Sequence, residues 1–257
     1  MLRLVNSSSP GVAAAQLAPV EAGLHAQVLD RLGTAICGGE LTPGSVLNID
    51  ELVDRYAVSR SVVREVLRVL ASIGFIETRR RVGVMIRPAE AWNVFDPQVI
   101  RWRLASAGRI VQLRSITELR TAVEPHAAWL AASRVGHDEA SDLVGLAAKM
   151  WAAGKAGDEE RFLDLDIEFH RRILVASGNE MFVRLQDLIA EVLTGRHQHH
   201  LMPHHPHEQA LQLHAEVAQA IQRRDGERAR RAMVQLMEQA FNEMSSIWEQ
   251  TGETTTT

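Results

Sequence analysis

Apolar residues recur at helical spacing early in the chain: Leu24, Val28, Leu29, Leu32 and Ile36 lie on one stripe. The pattern predicts an amphipathic helix that closes near Gly38-Gly39 and leads into a turn at LTPGS. A short helix is expected from about Ile49 to Tyr56. Ser59 has the side chain to cap a third, whose apolar residues Val63, Val66, Leu67, Leu70 and Ile73 share one face up to Gly74. The period then changes from helical to alternating, and FIETRRRVGVMIRP reads as two short strands around an Arg-Arg-Val-Gly turn. Three helices followed by a basic hairpin is the element order of a winged helix-turn-helix.

The stretch RPAEAWNVFDP, from Arg87 to Pro97, has prolines near both ends and no period, so it reads as a linker, with Asp96-Pro97 as a cap and first-turn proline. From there to about Trp248 only helical patterns occur, broken near Ala107-Gly108, Gly136, Gly157, Gly178, Asp225-Gly226 and a histidine-rich stretch. The expected fold is mainly α. A disordered N-terminus (1–18) precedes a winged helix-turn-helix (19–88), a linker (89–97) and an all-α bundle of about seven helices (98–249), with a disordered tail (250–257).

Charge sharpens that division. The chain as a whole is close to neutral, with a net charge of −4. Its segment from Arg55 to Pro88 nevertheless holds Arg55, Arg60, Arg64, Arg68, Arg79, Arg80, Arg81 and Arg87 against only Glu65 and Glu77. A local excess of that kind suits a polyanion, whereas residues 89–257 carry an acidic excess. The single cysteine, Cys37, falls in an apolar-periodic segment, which excludes an intrachain disulfide and predicts a buried, inert thiol. No apolar run reaches the length of a membrane span and the N-terminus has no signal-like apolar stretch, so a soluble, cytoplasmic protein is expected.

In LVDRYAVSRSVVREVLRVL, residues 52–70, two helices meet at a very short turn. Arg60, Arg64 and Arg68 are spaced i, i+4, i+8, so they share one face while the valines and leucines take another. A recognition helix presents such a face to the major groove, where the arginine fork matches guanine O6 and N7. Arg79, Arg80 and Arg81 at the hairpin tip are placed to neutralise phosphates. The segment VSRSVVREVLRVLASIGFIE, with GGELTPGSVLNIDELVDRY before it, resembles the DNA-binding domain of the GntR family of bacterial transcription regulators over about residues 22–88. The resemblance implies DNA contacts from Arg60, Ser61 and Arg64, and from the wing around Arg81 and Gly83; Arg68 and Arg80 join them as candidates by their places on the same helical face and at the hairpin tip. Many relatives have an arginine before the Glu-Leu that opens the second helix; this chain has Asp50 there.

In the C-terminal half the informative residues are ionisable groups on apolar stripes, because burying one without a partner is costly. In RFLDLDIEFHRRILVASGN, Asp166 and His170 sit at i, i+4 inside a stripe of Phe162, Leu165, Phe169 and Ile173. His214 lies likewise among Leu211, Val217, Ala218 and Ile221, and Arg120 shares a stripe with Leu113, Ile116 and Val123, with Glu124 one turn on. Singly, each reads as a satisfied core residue, and Arg120–Glu124 as a structural ion pair. Together they describe a polar pocket inside a helix bundle. DLDIEFHRRILVASGN and LHAEVAQAIQRRDGERARRAM resemble the FCD-type effector domain of the FadR subfamily of GntR regulators over most of residues 100–245. In many such domains an aspartate and three histidines hold a divalent metal, commonly zinc or nickel, beside the effector's carboxylate. Asp166, His170 and His214 match the first three, and the fourth falls on Leu236, which shares a stripe with Met233, Met237 and Ala240.

Two chemistries fit this set. Three protein ligands can hold zinc with an open fourth position; alternatively His170, His214 and Arg120 bind an acid with no metal. The phrases AWNVFDPQVIRW and LQLHAEVAQAI, with the missing last histidine, most resemble repressors of galactonate and related sugar-acid catabolism. That suggests a sugar-acid effector, at Arg120, Asp166, His170, His214 and Arg196. Each monomer offers one recognition helix, so a homodimeric repressor on a palindromic operator is expected. A different class, a zinc-dependent hydrolase, uses the same three ligands around an activated water, but Glu168, the nearest carboxylate in sequence, points off their face. The stretch HQHHLMPHHPH, residues 197–207, holds six of the chain's 11 histidines without regular ligand spacing and with two prolines, so it reads as an exposed interhelical loop. His199 or His200 is its nearest candidate for the place left by Leu236.

Overall fold

The computed structural model describes the backbone of residues 19–199 and 206–250, with side chains for 23–199 and 206–243. The first 18 residues, His200 to His205 and the last seven, for which disorder or a loop was expected, lie outside the described residues. The N-terminal part contains helix α1 (Pro19–Cys37), strand β1 (Val46–Leu47), helices α2 (Ile49–Tyr56) and α3 (Arg60–Ser72), and strands β2 (Ile76–Arg79) and β3 (Gly83–Ile86). Ser59 caps α3 as expected, its hydroxyl accepting from the Val62 amide at 3.3 Å. The hairpin pairs Ile76 with Ile86 and Arg79 with Gly83, which leaves residues 80–82 at its tip. β1 adds a third, antiparallel strand against β3, Val46 opposite Met85. Two residues are too short to alternate visibly, so nothing in the pattern announced it. Leu32, Val63, Val66, Leu70 and Phe75 are fully buried at the centre of this unit.

The expected linker is held down along its length. It contains a 3-10 turn (Ala89–Ala91). Trp92 stacks on Phe75 with ring centroids 4.5 Å apart, and the Asn93 amide donates to the Ile73 carbonyl at 2.8 Å. Asp96 then caps helix α4 (Pro97–Leu104), accepting from the Gln98 amide at 2.9 Å. α4 belongs to two cores at once: Val99 and Trp102 pack with the N-terminal residues, Ile100 and Leu104 with the C-terminal ones. Gly33 of α1 makes room for Trp102, since a Cβ there would stand 2.2 Å from the indole. The indole Nε1 donates to Asp30 at 2.9 Å.

The remainder is helical: α5 (Arg109–Arg134), α6 (His137–Ala156), α7 (Glu159–Ala176), the single turn α8 (Glu180–Val183), α9 (Gln186–Gln198), α10 (Glu208–Gln222) and α11 (Gly226–Gln250). Counting α4, this bundle has eight helices among the described residues, one of them a single turn. α5 packs along α11, α10 on α11 and α6, and α7 between α5, α6 and α9. α9 also lies on α4. Gly195 allows the close approach, because a Cβ there would meet Leu104 at 2.5 Å, and Arg101 donates two hydrogen bonds to Glu191 at 2.6 and 3.1 Å. No helix among the described residues is long and apolar enough to cross a membrane.

Candidate functional site

On the N-terminal unit the apolar stripe of α3 turns inward, which leaves Arg60, Ser61, Arg64 and Arg68 exposed on its outer face; Arg80 and Arg81 are exposed at the hairpin tip beside Gly83. Several of these arginines already meet carboxylates. Arg68 pairs with Glu65 at 2.6 Å, Arg79 with Glu77 at 2.6 Å, and Arg60 with Asp50 at 2.5 Å, all between exposed side chains. Asp50 is the residue that departs from the family pattern, and the structure gives it a partner: it holds one arm of the first arginine of α3. Arg81 adopts the left-handed backbone region, φ 67°, which turns the wing tip.

The second set is buried. Arg120 and Glu124 come from α5, Asp166 and His170 from α7, Arg196 from α9 and His214 from α10; all six are buried in the middle of the bundle. They line or underlie one cavity of about 50 Å³, with Leu236 and Met237 of α11 in its wall. The separately placed residues therefore converge. The donor atoms of Asp166, His170 and His214 all lie within 4.8 Å of one another.

The hydrogen bonds set which atoms face that point. His214 donates through Nδ1 to the Ala210 carbonyl at 2.7 Å, so its Nε2 is turned toward Asp166 Oδ1, 3.0 Å away. His170 meets Glu124 through Nδ1, and its Nε2 lies 3.3 Å from the same Asp166 oxygen. A carboxylate or carbonyl on one ring nitrogen, with the other aimed at a common centre, is the arrangement that orients histidines as metal ligands. The donor set of one carboxylate and two imidazoles suits zinc or nickel, so the residues present fit such an ion.

Charge balance in this site is tight. Arg120 donates to Glu124 at 2.5 Å, and its Nη2 lies 3.3 Å from His170 Nε2. Burial opposes ionisation of Glu124, but Arg120 and His170 outweigh it and hold the carboxyl down at about 2. Asp166 is likewise buried, yet hydrogen bonds from His170 and His214 keep it well below the usual carboxylate range. Burial works against a charge on His170 too; Glu124 and Asp166 prevail over that and over Arg120, and raise it to about 9. Arg196 moves the other way, lowered by burial and by the nearby Arg120 against the pull of Glu243 and Asp166. A wholly buried group of three carboxyl, imidazole and guanidinium types is stable only because each meets an opposite charge.

Several details could not be read from the pattern. Glu124 is the partner of Arg120, as its spacing suggested, and also orients His170, which no spacing implied. Among the described residues, exposed His207 and the partly buried Gln239 and Glu243 line the more open side of the cavity, with Glu243 3.6 Å from Arg196. A signal for Glu243 existed, since the stripe of Met233, Leu236 and Ala240 continues at helical period to 243. The expectation for His199 needs correction. His199 follows α9 and is not among the described residues lining the cavity, toward which α9 turns Arg196 instead; of the described residues in the histidine stretch, Pro206 and His207 line it. His200 lies outside the described residues. Glu168, weighed as the base of a hydrolase, is taken up at the surface by Arg171 at 2.6 Å and Arg172 at 2.6 Å.

Comparison with known proteins agrees with both halves. Residues 24–86 match the model of bacterial regulatory proteins of the gntR family, and residues 115–239 match the FCD domain. The galactonate operon transcriptional repressor of Escherichia coli K12 is 28% identical over 223 residues, 86% of this chain and 96% of that protein. A probable D-xylose utilization operon transcriptional repressor of Paenarthrobacter nicotinovorans is 28% identical over 169 residues, 65% of this chain and 66% of that one. Among solved structures, E. coli McbR/YncC superposes with a TM-score of 0.52 at 20% identity, covering 88% of this chain and 98% of that one, which supports the fold. The matched families are transcription regulators, so nothing in the comparisons supports the hydrolase alternative. With an arginine-faced α3 and wing in front and a bundle with a buried polar site behind, the chain belongs to the GntR family of DNA-binding transcription regulators and carries an FCD-type C-terminal domain.

Proposed function

We propose that this regulator is a repressor that binds a palindromic operator as a homodimer in the cytoplasm, and that a small carboxylate such as a sugar acid, bound in the C-terminal bundle, lowers its operator affinity. The observation that carries the reading is the convergence of Asp166, His170, His214, Arg120 and Arg196 on one buried cavity. On the DNA side, Arg60, Ser61 and Arg64 read bases at the start of α3, while Arg68, Arg80, Arg81 and the wing backbone at Gly83 hold phosphates. One recognition helix reads a short half-site, so two copies on a symmetric site give useful specificity.

Asp166, His170 and His214 are the residues that would hold a zinc or nickel ion. The ion would supply a Lewis-acid position for a ligand oxygen. Glu124 and the Ala210 carbonyl keep the two imidazoles turned toward that position, and Arg120 and Arg196 supply positive charge for a carboxylate. The name of the galactonate repressor, a relative over most of this chain, favours an aldonate as the acid.

The route to the DNA is short. α9 carries Arg196 at the site, and about a turn and a half earlier Glu191 bonds to Arg101 of α4; the next residue of α4, Trp102, docks on Gly33 and Asp30 of α1. A shift of α9 on ligand binding therefore reaches α1 through a single intervening helix. Gel shifts with the DNA upstream of the coding sequence, with and without D-galactonate and other sugar acids at fixed salt, test the reading. Release by one of these acids is expected, and unchanged affinity with all of them would sink it. Metal analysis of protein purified without added metal tests the ion separately: near-stoichiometric zinc or nickel, lost in His170→Ala, is expected. No bound transition metal in either protein would leave the acid on the histidines and arginines alone.

A further inference from the structure

The cavity over Asp166, His170 and His214 has a volume of about 50 Å³. That admits an ion and a water or two, whereas pockets that enclose small molecules run to roughly 300–1,000 Å³. An acid of six carbons cannot enter unless part of the wall gives way. The more open side is where the wall is least well satisfied. Arg196 is 4% exposed, and among the described residues its Nε has no hydrogen-bond partner; nor does the buried Oε1 of Gln239. Glu243 stands over them. Its Oε2 lies 3.6 Å from Arg196 Nη2, while its Oε1 accepts from Gln239 Nε2 at 3.2 Å and lies 3.9 Å from the Nε2 of exposed His207.

A guanidinium fork is satisfied by two parallel hydrogen bonds from one carboxylate at about 2.7–2.9 Å. The contact from Glu243 to Arg196 is long, and the Nε–H of the fork is unmet among the described residues, so Arg196 is held but not saturated. A free carboxylate is not tethered to a helix and can take both arms. Glu243 also sits past the apolar stretch of Met233, Leu236 and Met237 that packs α11 into the core.

We infer that Glu243 is a built-in carboxylate that holds the place of an incoming acid on Arg196 and closes the cavity, so that an acid binds by displacing it and loosening α11 from Glu243 onward. The inference rests on the reading that an acid binds in this bundle. It makes affinity a competition between two carboxylates for one guanidinium, and it gives the ligand a mechanical effect at the end of α11 as well as on α9.

Acetate, the smallest stable carboxylate probe that carries its own methyl group, tests the displacement without knowledge of the natural ligand. Calorimetry and thermal shift on the full-length protein, at constant ionic strength and with and without added zinc, would compare wild type, Glu243→Gln and Glu243→Gln/Arg196→Gln. Glu243→Gln is expected to bind acetate about tenfold more tightly than wild type, the scale of a hydrogen bond to a charged group, and the double variant to lose that gain. Equal or weaker binding by Glu243→Gln, no binding by either protein, or a gain that survives the loss of Arg196 each overturns the inference. Should Glu243→Gln fail to fold, amide exchange in wild type decides instead: acetate, against chloride, is expected to speed exchange around 239–243, and unchanged exchange overturns it. The two readings fail separately. If acetate behaves as expected but no sugar acid moves operator affinity, the regulatory reading falls alone; if a sugar acid releases wild type and Glu243→Gln at the same concentration, the displacement falls alone.

Discussion

The two functional regions place charge in opposite ways. On α3 and the wing, Arg60, Arg64, Arg68, Arg80 and Arg81 stand in water, and their ion pairs with Asp50 and Glu65 are between exposed groups. In the bundle Arg120, Glu124, Asp166, His170, Arg196 and His214 are removed from water, and each is in contact with at least one other charged or ionisable group of the site. Exposed charges cost little to place and remain available to a large polyanion. Buried ones are costly alone and so come as an interlocked set, which can distinguish a small ligand but does not tolerate the loss of a member. The same residue type, arginine, is thus left open to a polyanion on one face and is a strut within the other domain.

The largest effect expected from that contrast is on stability. Glu124→Ala leaves Arg120 and His170 without their shared carboxylate and should lower unfolding free energy by about 3–5 kcal/mol, the scale of a broken buried ion pair, seen as a fall in the urea midpoint. A change below about 0.5 kcal/mol, the range of surface substitutions, would mean the network is not interlocked. Arg64→Ala should do the reverse: unfolding unchanged, but specific operator affinity weaker by about 1–3 kcal/mol, a factor of roughly 5 to 150, by fluorescence anisotropy at fixed salt. Destabilisation by that variant would blur the contrast, since it would mean that Arg64 also holds the fold.

Smaller effects sharpen the picture of the DNA face. Asp50→Asn removes a carboxylate from beside Arg60 and should tighten binding to random-sequence duplex a few-fold, with a salt dependence steeper by up to about one counterion. A loss of affinity would show that Asp50 instead orients Arg60 for a base contact. The smallest effect concerns Cys37. Burial pushes its thiol up to about 12, offset slightly by Arg103, so at pH 8 almost none is thiolate; a disulfide reagent should modify native protein at least about tenfold more slowly than unfolded protein, because the thiolate is the nucleophile.

How legible the molecule was depended on how local the signal was. The helices announced themselves by period, and their ends by Ser59, Asp96 and the glycines, because capping and periodicity are interactions between neighbours in sequence. β1 did not, since its two residues become a strand only against β3. Nor did the anchoring of the linker: Trp92 and Asn93 have no period, and only their contacts with Phe75 and Ile73 make the connection stiff. Asp166, His170, His214 and Arg120 stood out as polar intruders on apolar stripes, a clue that names a residue as buried without naming its partner.

By itself the sequence determined the winged helix-turn-helix, the arginine face of α3, the helical bundle and the identity of most of the buried polar residues. Each follows from spacing along one helix or hairpin. The tertiary structure decided which of those residues meet: that Glu124 serves Arg120 and His170 together, that His207 rather than His199 approaches the cavity, and that Glu243 stands over Arg196. It also decided that α4 is shared by two cores, through Trp102 on one side and Leu104 on the other. Periodicity fixes the direction of a side chain relative to its own helix, but the meeting of charges from α5, α7, α9, α10 and α11 depends on how those helices pack, and packing is set by the whole core at once.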